Sequence, residues 1–141
     1  MSLILQIIIG FILAFILHEI THLIVLIYYK VPITSIILTK WSGVGFLVEN
    51  EKYINNNKIL ILVYFLPLIW CLVYFIQPNE PFFLMFPLVN LSGGIADFYI
   101  FVRLMLLPED KRLAWVNASD EKILKATLWK KDLSSKSILQ D

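Results

Sequence analysis

The sequence predicts an α-helical integral membrane protein. It has three transmembrane helices, a β-hairpin-like loop between the first and second, and a short tail helix. Three observations predict this. Of its 141 residues 59% are hydrophobic and only 16% charged, whereas soluble domains carry nearer about 25% charge. Apolar stretches over residues 3–29, 59–76 and 82–107 meet or approach the roughly 20 residues that cross a bilayer. The charge is also segregated. Lys30, Lys40, Lys52 and Lys58 lie in the first loop, and the other basic residues run from Arg103 to Lys136; the short QPNEP loop, 77–81, has none.

The first stretch, from Leu3 to Tyr29, has no basic segment before it, is too long for the apolar part of a signal peptide and shows no small-residue cleavage site. It is expected as a retained helix. The loop that follows holds two β-branched, apolar runs, ITSIILT (33–39) and VGFLVEN (44–50). KWSG separates them, and Gly43 and Gly45 supply turn chemistry, so they read as a hairpin, with Trp41 at the membrane interface. NNNK, 55–58, leads into the second span, which carries Pro67 and the single cysteine, Cys71. One cysteine excludes an intramolecular disulfide and reads as a small buried hydrophobe. The third span carries Pro87, and small residues from Ser92 to Gly94 that would let helices approach closely.

With three spans, the first loop and the tail share a side. The excess of Lys and Arg makes that side the cytoplasm and leaves the amino terminus and QPNEP outside. The division is a membrane core over 1–107 and a cytoplasmic tail over 108–141. In the tail, Ile123, Leu124 and Leu128 recur at helical spacing under lysines, which predicts an amphipathic helix over Ser119 to Lys131.

One segment of the first span does not fit a passive anchor. FILHEITHLIVL, 15–26, places His18, Glu19, Thr21 and His22 in an apolar run. Polar groups at that depth are costly unless they are partnered, and they mark function. Histidines four residues apart project from one helix face, so both imidazoles can reach one zinc ion at about 2.0–2.1 Å. Glu19 flanks that face, placed as a general base rather than a ligand. They are the only two histidines in the chain.

A catalytic zinc takes a third protein ligand and keeps an open position. Asp97 is the one acidic residue besides Glu19 within the three spans. His22 lies eight residues before Lys30, and Asp97 six before Arg103, so the two fall at comparable depth. Asn90, two turns before Asp97 on nearly the same face, is suited either to a substrate hydrogen bond or to steadying the site. Arg103 reads as a boundary residue whose charged end reaches the interface, and Thr21 as bonded back to its own helix.

HEITH in the first span, the β-rich loop, YFLPLIW in the second span and NLSGGIAD in the third resemble the site-2 protease class of intramembrane zinc metalloproteases. The pattern looks closest to a branch of small bacterial and archaeal membrane zincin peptidases. The resemblance covers most of the chain, and the core of that class is likewise three helices. It implies that His18, His22 and Asp97 are zinc ligands and Glu19 the catalytic base. The implied activity is hydrolysis of a peptide bond in a membrane-associated or transmembrane segment, near the cytoplasmic face of a prokaryotic plasma membrane. The class usually has a proline between the Asn and an Asp-Gly pair. Here none lies between Asn90 and Asp97, and Phe98 follows the aspartate.

The expected partners are the bilayer and a membrane protein or peptide substrate, with no nucleic acid. The competing expectations are an inactive metal- or haem-binding membrane protein and a transport or assembly subunit that uses the polar set as a proton relay. Only hydrolysis gives Glu19 a task beside the metal.

Overall fold

The computed structural model describes residues 2–39, 43–49, 53–125 and 127–132. Trp41 and the end of the tail lie outside the described residues. Helix α1 spans Leu3–Tyr28, strands β1 and β2 span Ile33–Thr39 and Gly43–Val48, and α2 spans Asn57–Phe65. A 3-10 segment, Leu66–Ile76, continues α2. Then come α3 (Pro81–Leu106), α4 (Glu109–Lys125) and strand β3 (Thr127–Asp132). Three helical segments are long and apolar enough to cross a membrane: Leu3–Tyr28, Asn57–Ile76 and Pro81–Leu106.

Local chemistry sets the ends of these elements. Ser2 caps α1, its Oγ accepting from the Leu5 amide. At the other end Val31 N–H donates to Leu26 O and Lys30 N–H to Ile27 O, both at 2.9 Å. This is a Schellman stop. It puts Lys30 in the left-handed region at φ 52, and Pro32 directly after it prevents the helix from resuming. Asn56 caps α2 by accepting from the Lys58 and Ile59 amides. Pro81 begins α3 where its missing N–H costs nothing.

The second span departs from the single helix expected over 59–76. Pro67 removes the donor that would bond the carbonyl one turn back, and the chain tightens into 3-10 from Leu66 onward. A 3-10 segment rises about 2.0 Å per residue against about 1.5 Å in an α-helix. Twenty residues therefore extend about 36 Å, close to the roughly 39 Å of each 26-residue helix. Cys71 on this segment is half-buried rather than buried.

The tail also differs from expectation. Instead of a helix over 119–131, α4 begins at Glu109, directly after Pro108, and stops at Lys125. Acidic Glu109 and Asp110 in its first turn suit the positive end of the helix dipole. Its apolar Leu113, Trp115 and Val116 pack on the bundle, while Ile123 is exposed. Leu128 belongs to β3, which pairs antiparallel with β1. The hairpin is thus part of a three-stranded sheet in the order β2-β1-β3. A hairpin alone leaves the second edge of β1 with unpaired amides and carbonyls, and the tail strand satisfies them. This pairing also places the first loop and the tail at the same end of the bundle, as the charge pattern predicts.

Two apolar clusters hold the bundle. One gathers Val25, Leu26, Ile54, Ile59, Leu60, Val63 and Leu104 at the sheet end. The other gathers Ala14, Phe86 and Val89, with Trp70 and Phe82 packed against them. Gly10 lets α3 approach α1, since a Cβ there would stand 2.6 Å from Phe82 O. Along α1 the gap between the clusters runs from residue 18 to 24, and along α3 from 90 to 99. His18, Glu19, Thr21 and His22 of α1 and Asn90 and Asp97 of α3 fall in that gap.

Candidate metal centre

In the gap, α1 and α3 bring His18, His22 and Asp97 together. His18 Nε2 lies 3.2 Å from His22 Nε2 and 3.3 Å from Asp97 Oδ2, and His22 Nε2 lies 3.4 Å from the same oxygen. The three donor atoms form a nearly equilateral triangle. Ligands about 2.0–2.1 Å from one zinc at tetrahedral angles stand about 3.3–3.4 Å apart, so the triangle has the size of one face of such a tetrahedron. The three side chains are 6, 12 and 15% exposed. The histidines reach the site because they are one turn apart. Asp97 reaches it because His22 and Asp97 share a level, as counting residues from the basic boundary suggests.

The triangle has more acceptors than protons, which suits a cation. Asn90 is fully buried; its Nδ2 donates to Phe86 O at 2.8 Å, which turns Oδ1 toward His18 Nδ1 at 3.0 Å. Oδ1 can only accept, so Nδ1 carries the proton, and the neutral ring presents a bare Nε2 to the triangle. That lone pair faces a carboxylate oxygen which is buried and has no hydrogen bond among the described residues. A proton on His22 Nε2 can serve one of these two acceptors but not both. A single cation between the three atoms serves them all, and an imidazole–imidazole–carboxylate set suits zinc. The donor set and the orphaned oxygen therefore fit the ion that the sequence predicts.

Glu19 stands beside the triangle, half-buried. It lies within electrostatic reach of His18, His22 and Asp97 and makes no hydrogen bond or ion pair with a described residue. Asn90, left open between contacting substrate and steadying the site, has both amide atoms engaged and no exposed surface. Thr21 Oγ1 donates to Leu17 O at 2.7 Å, the expected back-bond, and also accepts from Trp70 Nε1 at 2.8 Å. Arg103 is exposed near the end of α3.

Trp70 has a role that the sequence does not signal, and Gly93 a more specific one than the close helix approach expected of the small residues. Trp70 links the 3-10 segment to α1 through Thr21, and a lone tryptophan in an apolar span carries no signal of that. Gly93 lies against the His18 ring: a Cβ there would stand 2.9 Å from both Cε1 and Nε2. Its signal was its position, three residues after Asn90 and four before Asp97, on the face of α3 that meets His18. Gly94, by contrast, makes room for Leu68, the packing role expected of small residues.

No family model, curated protein or solved structure matches this chain.

Proposed function

We propose that the chain is an intramembrane zinc metallopeptidase that hydrolyses a peptide bond of a membrane-associated or transmembrane segment near the cytoplasmic face. The observation that carries this reading is the 3.2–3.4 Å triangle of His18, His22 and Asp97 with Glu19 beside it. A zinc ion bound there would supply Lewis acidity to a scissile carbonyl and lower the pKa of a water.

The chain supplies the rest. Glu19, with no competing partner among the described residues, takes the proton from the attacking water and passes it to the departing amine. Asn90 holds the His18 tautomer, and the two apolar clusters fix the helices that carry the ligands. The surface supports placement in a bilayer: Ile4, Ile95 and Leu106 are 70, 72 and 76% exposed, a density of bare hydrocarbon that suits lipid rather than water. The basic residues put the sheet end in the cytoplasm. Reporter fusions after Asn79 and after Ser134 check that orientation, the first reading outside and the second cytoplasmic.

The direct test is zinc per chain, by elemental analysis after purification in mild detergent, beside His18→Ala and Asp97→Ala. Near one zinc in the parent, lost in both variants, supports the reading. No zinc in the parent after adding it back at neutral pH overturns it and leaves the polar relay.

A further inference from the structure

We propose that Gly93 is a positioning residue of the metal centre, whose missing side chain is what allows the His18 imidazole to stand with Nε2 in the ligand triangle. This rests on the metal reading above and adds a residue to it. The helix alone gives no reason for glycine at this position, since alanine is the better helix former. The reason is in the space beside it. A Cβ at 93 would lie 2.9 Å from two atoms of the His18 ring, well inside the roughly 3.5–4.0 Å at which carbon atoms rest. The ring has little freedom to yield, because Asn90 holds its Nδ1 at 3.0 Å and the residue is 4% exposed.

Asn90, Gly93 and Asp97 come from one face of α3, and each acts on the same imidazole. Asn90 accepts from Nδ1, Asp97 faces Nε2, and Gly93 leaves room for the ring between them. A methyl group at 93 pushes the ring away from α3, and therefore Nε2 away from Asp97 Oδ2. The triangle opens on the side where its 3.3 Å edge now lies. Gly94 provides an internal control. Its virtual Cβ meets Leu68 Cδ2 at 2.8 Å, so alanine there disturbs helix packing without touching a ligand.

The experiment measures zinc affinity of the full chain in detergent by competition with a chromophoric chelator, for the parent, Gly93→Ala and Gly94→Ala. Gly93→Ala is expected to weaken zinc about 10- to 100-fold, the range for residues that orient a ligand. Gly94→Ala is expected to lower the melting temperature and keep the parent's affinity. Parent-like affinity in Gly93→Ala overturns the proposal.

A second measurement needs no metal. In chelator, Gly93→Ala should lower the melting temperature of the parent but not of His18→Ala, where the obstructing ring is gone. An equal drop in both backgrounds, or failure of both to fold, overturns the proposal. A parent that binds no zinc sinks the metal reading and with it Gly93's role toward zinc, while the His18→Ala comparison still decides whether Gly93 makes room for the ring.

Discussion

The Nδ1–H of His18 donates to Oδ1 of Asn90 across 3.0 Å between α1 and α3, and this contact fixes which imidazole nitrogen is free to bind. The Phe86 carbonyl fixes the amide in turn, by accepting from Nδ2. Asn90, which the sequence leaves open between contacting substrate and steadying the site, is in the fold the hydrogen-bond partner of the His18 ring.

Asn90 variants separate tautomer control from packing. Asn90→Leu removes the acceptor and leaves a buried N–H unpaired, which costs about 1–3 kcal/mol of stability. It should also weaken zinc about 10- to 100-fold. Asn90→Asp keeps an oxygen for Nδ1–H and should retain most of the affinity. Zinc titration of both decides; a Leu variant that binds as tightly as the parent removes Asn90 from the site.

Metal binding should stabilise the fold by mass action. Free zinc at 100 times its Kd adds about 2.7 kcal/mol when only the folded state binds. The parent's melting temperature should therefore rise on adding zinc and fall on adding chelator. Asp97→Ala should show neither shift, because two imidazoles remain without the carboxylate. A shift in Asp97→Ala equal to the parent's would place the zinc elsewhere.

Glu19→Gln tests the base. The substitution keeps size and removes the proton acceptor, so zinc per chain should stay at the parent's level. Hydrolysis of a quenched transmembrane peptide in proteoliposomes should fall about 10²- to 10⁴-fold, the range that general base catalysis contributes. Undiminished cleavage in this variant would exclude Glu19 as the base.

Much of this arrangement is legible in the sequence because membranes make polar residues expensive. The short menu of His18, Glu19, His22, Asn90 and Asp97 follows from that cost, and the level of Asp97 follows from counting back from basic boundary residues. What the sequence hides depends on neighbours distant in the chain. Whether Asn90 faces substrate or His18 is decided by Phe86 and by the approach of α1. The room that Gly93 makes is visible only once the His18 ring is placed. The tail failed for a different reason. Its helical spacing is genuine over part of its length, yet residues 127–132 find a free edge on β1, and long-range pairing outweighs local propensity.

Thr21 and Trp70 couple the second span to the helix that carries both histidines. Thr21→Val removes the acceptor of Trp70 Nε1–H and should cost about 1 kcal/mol, since a half-buried donor is left unpaired. Trp70→Phe removes the donor instead and leaves the Thr21 hydroxyl bonded to Leu17 O, so its polar cost is smaller, with lost ring packing added. Thermal unfolding of both variants, and zinc affinity of the first, would show whether this tie also steadies the site. An unchanged melting temperature in Thr21→Val would mean that the 2.8 Å bond contributes nothing.

The pairing of β1 with β3 predicts a cross-link. Ile36 and Lys131 are partners in the antiparallel register, and such partners have Cα atoms about 4.5–5.5 Å apart, inside the range a disulfide spans. With Cys71→Ser to remove the native thiol, Ile36→Cys with Lys131→Cys should close a disulfide on mild oxidation, read as a mobility shift that reductant reverses. Leu38→Cys with Lys131→Cys, two residues out of register, should cross-link poorly. Closure of the first pair alone means that the tail strand completes the sheet and that the first loop and tail meet at one end. Equal yields from both pairs would mean that the strand is not held in this register.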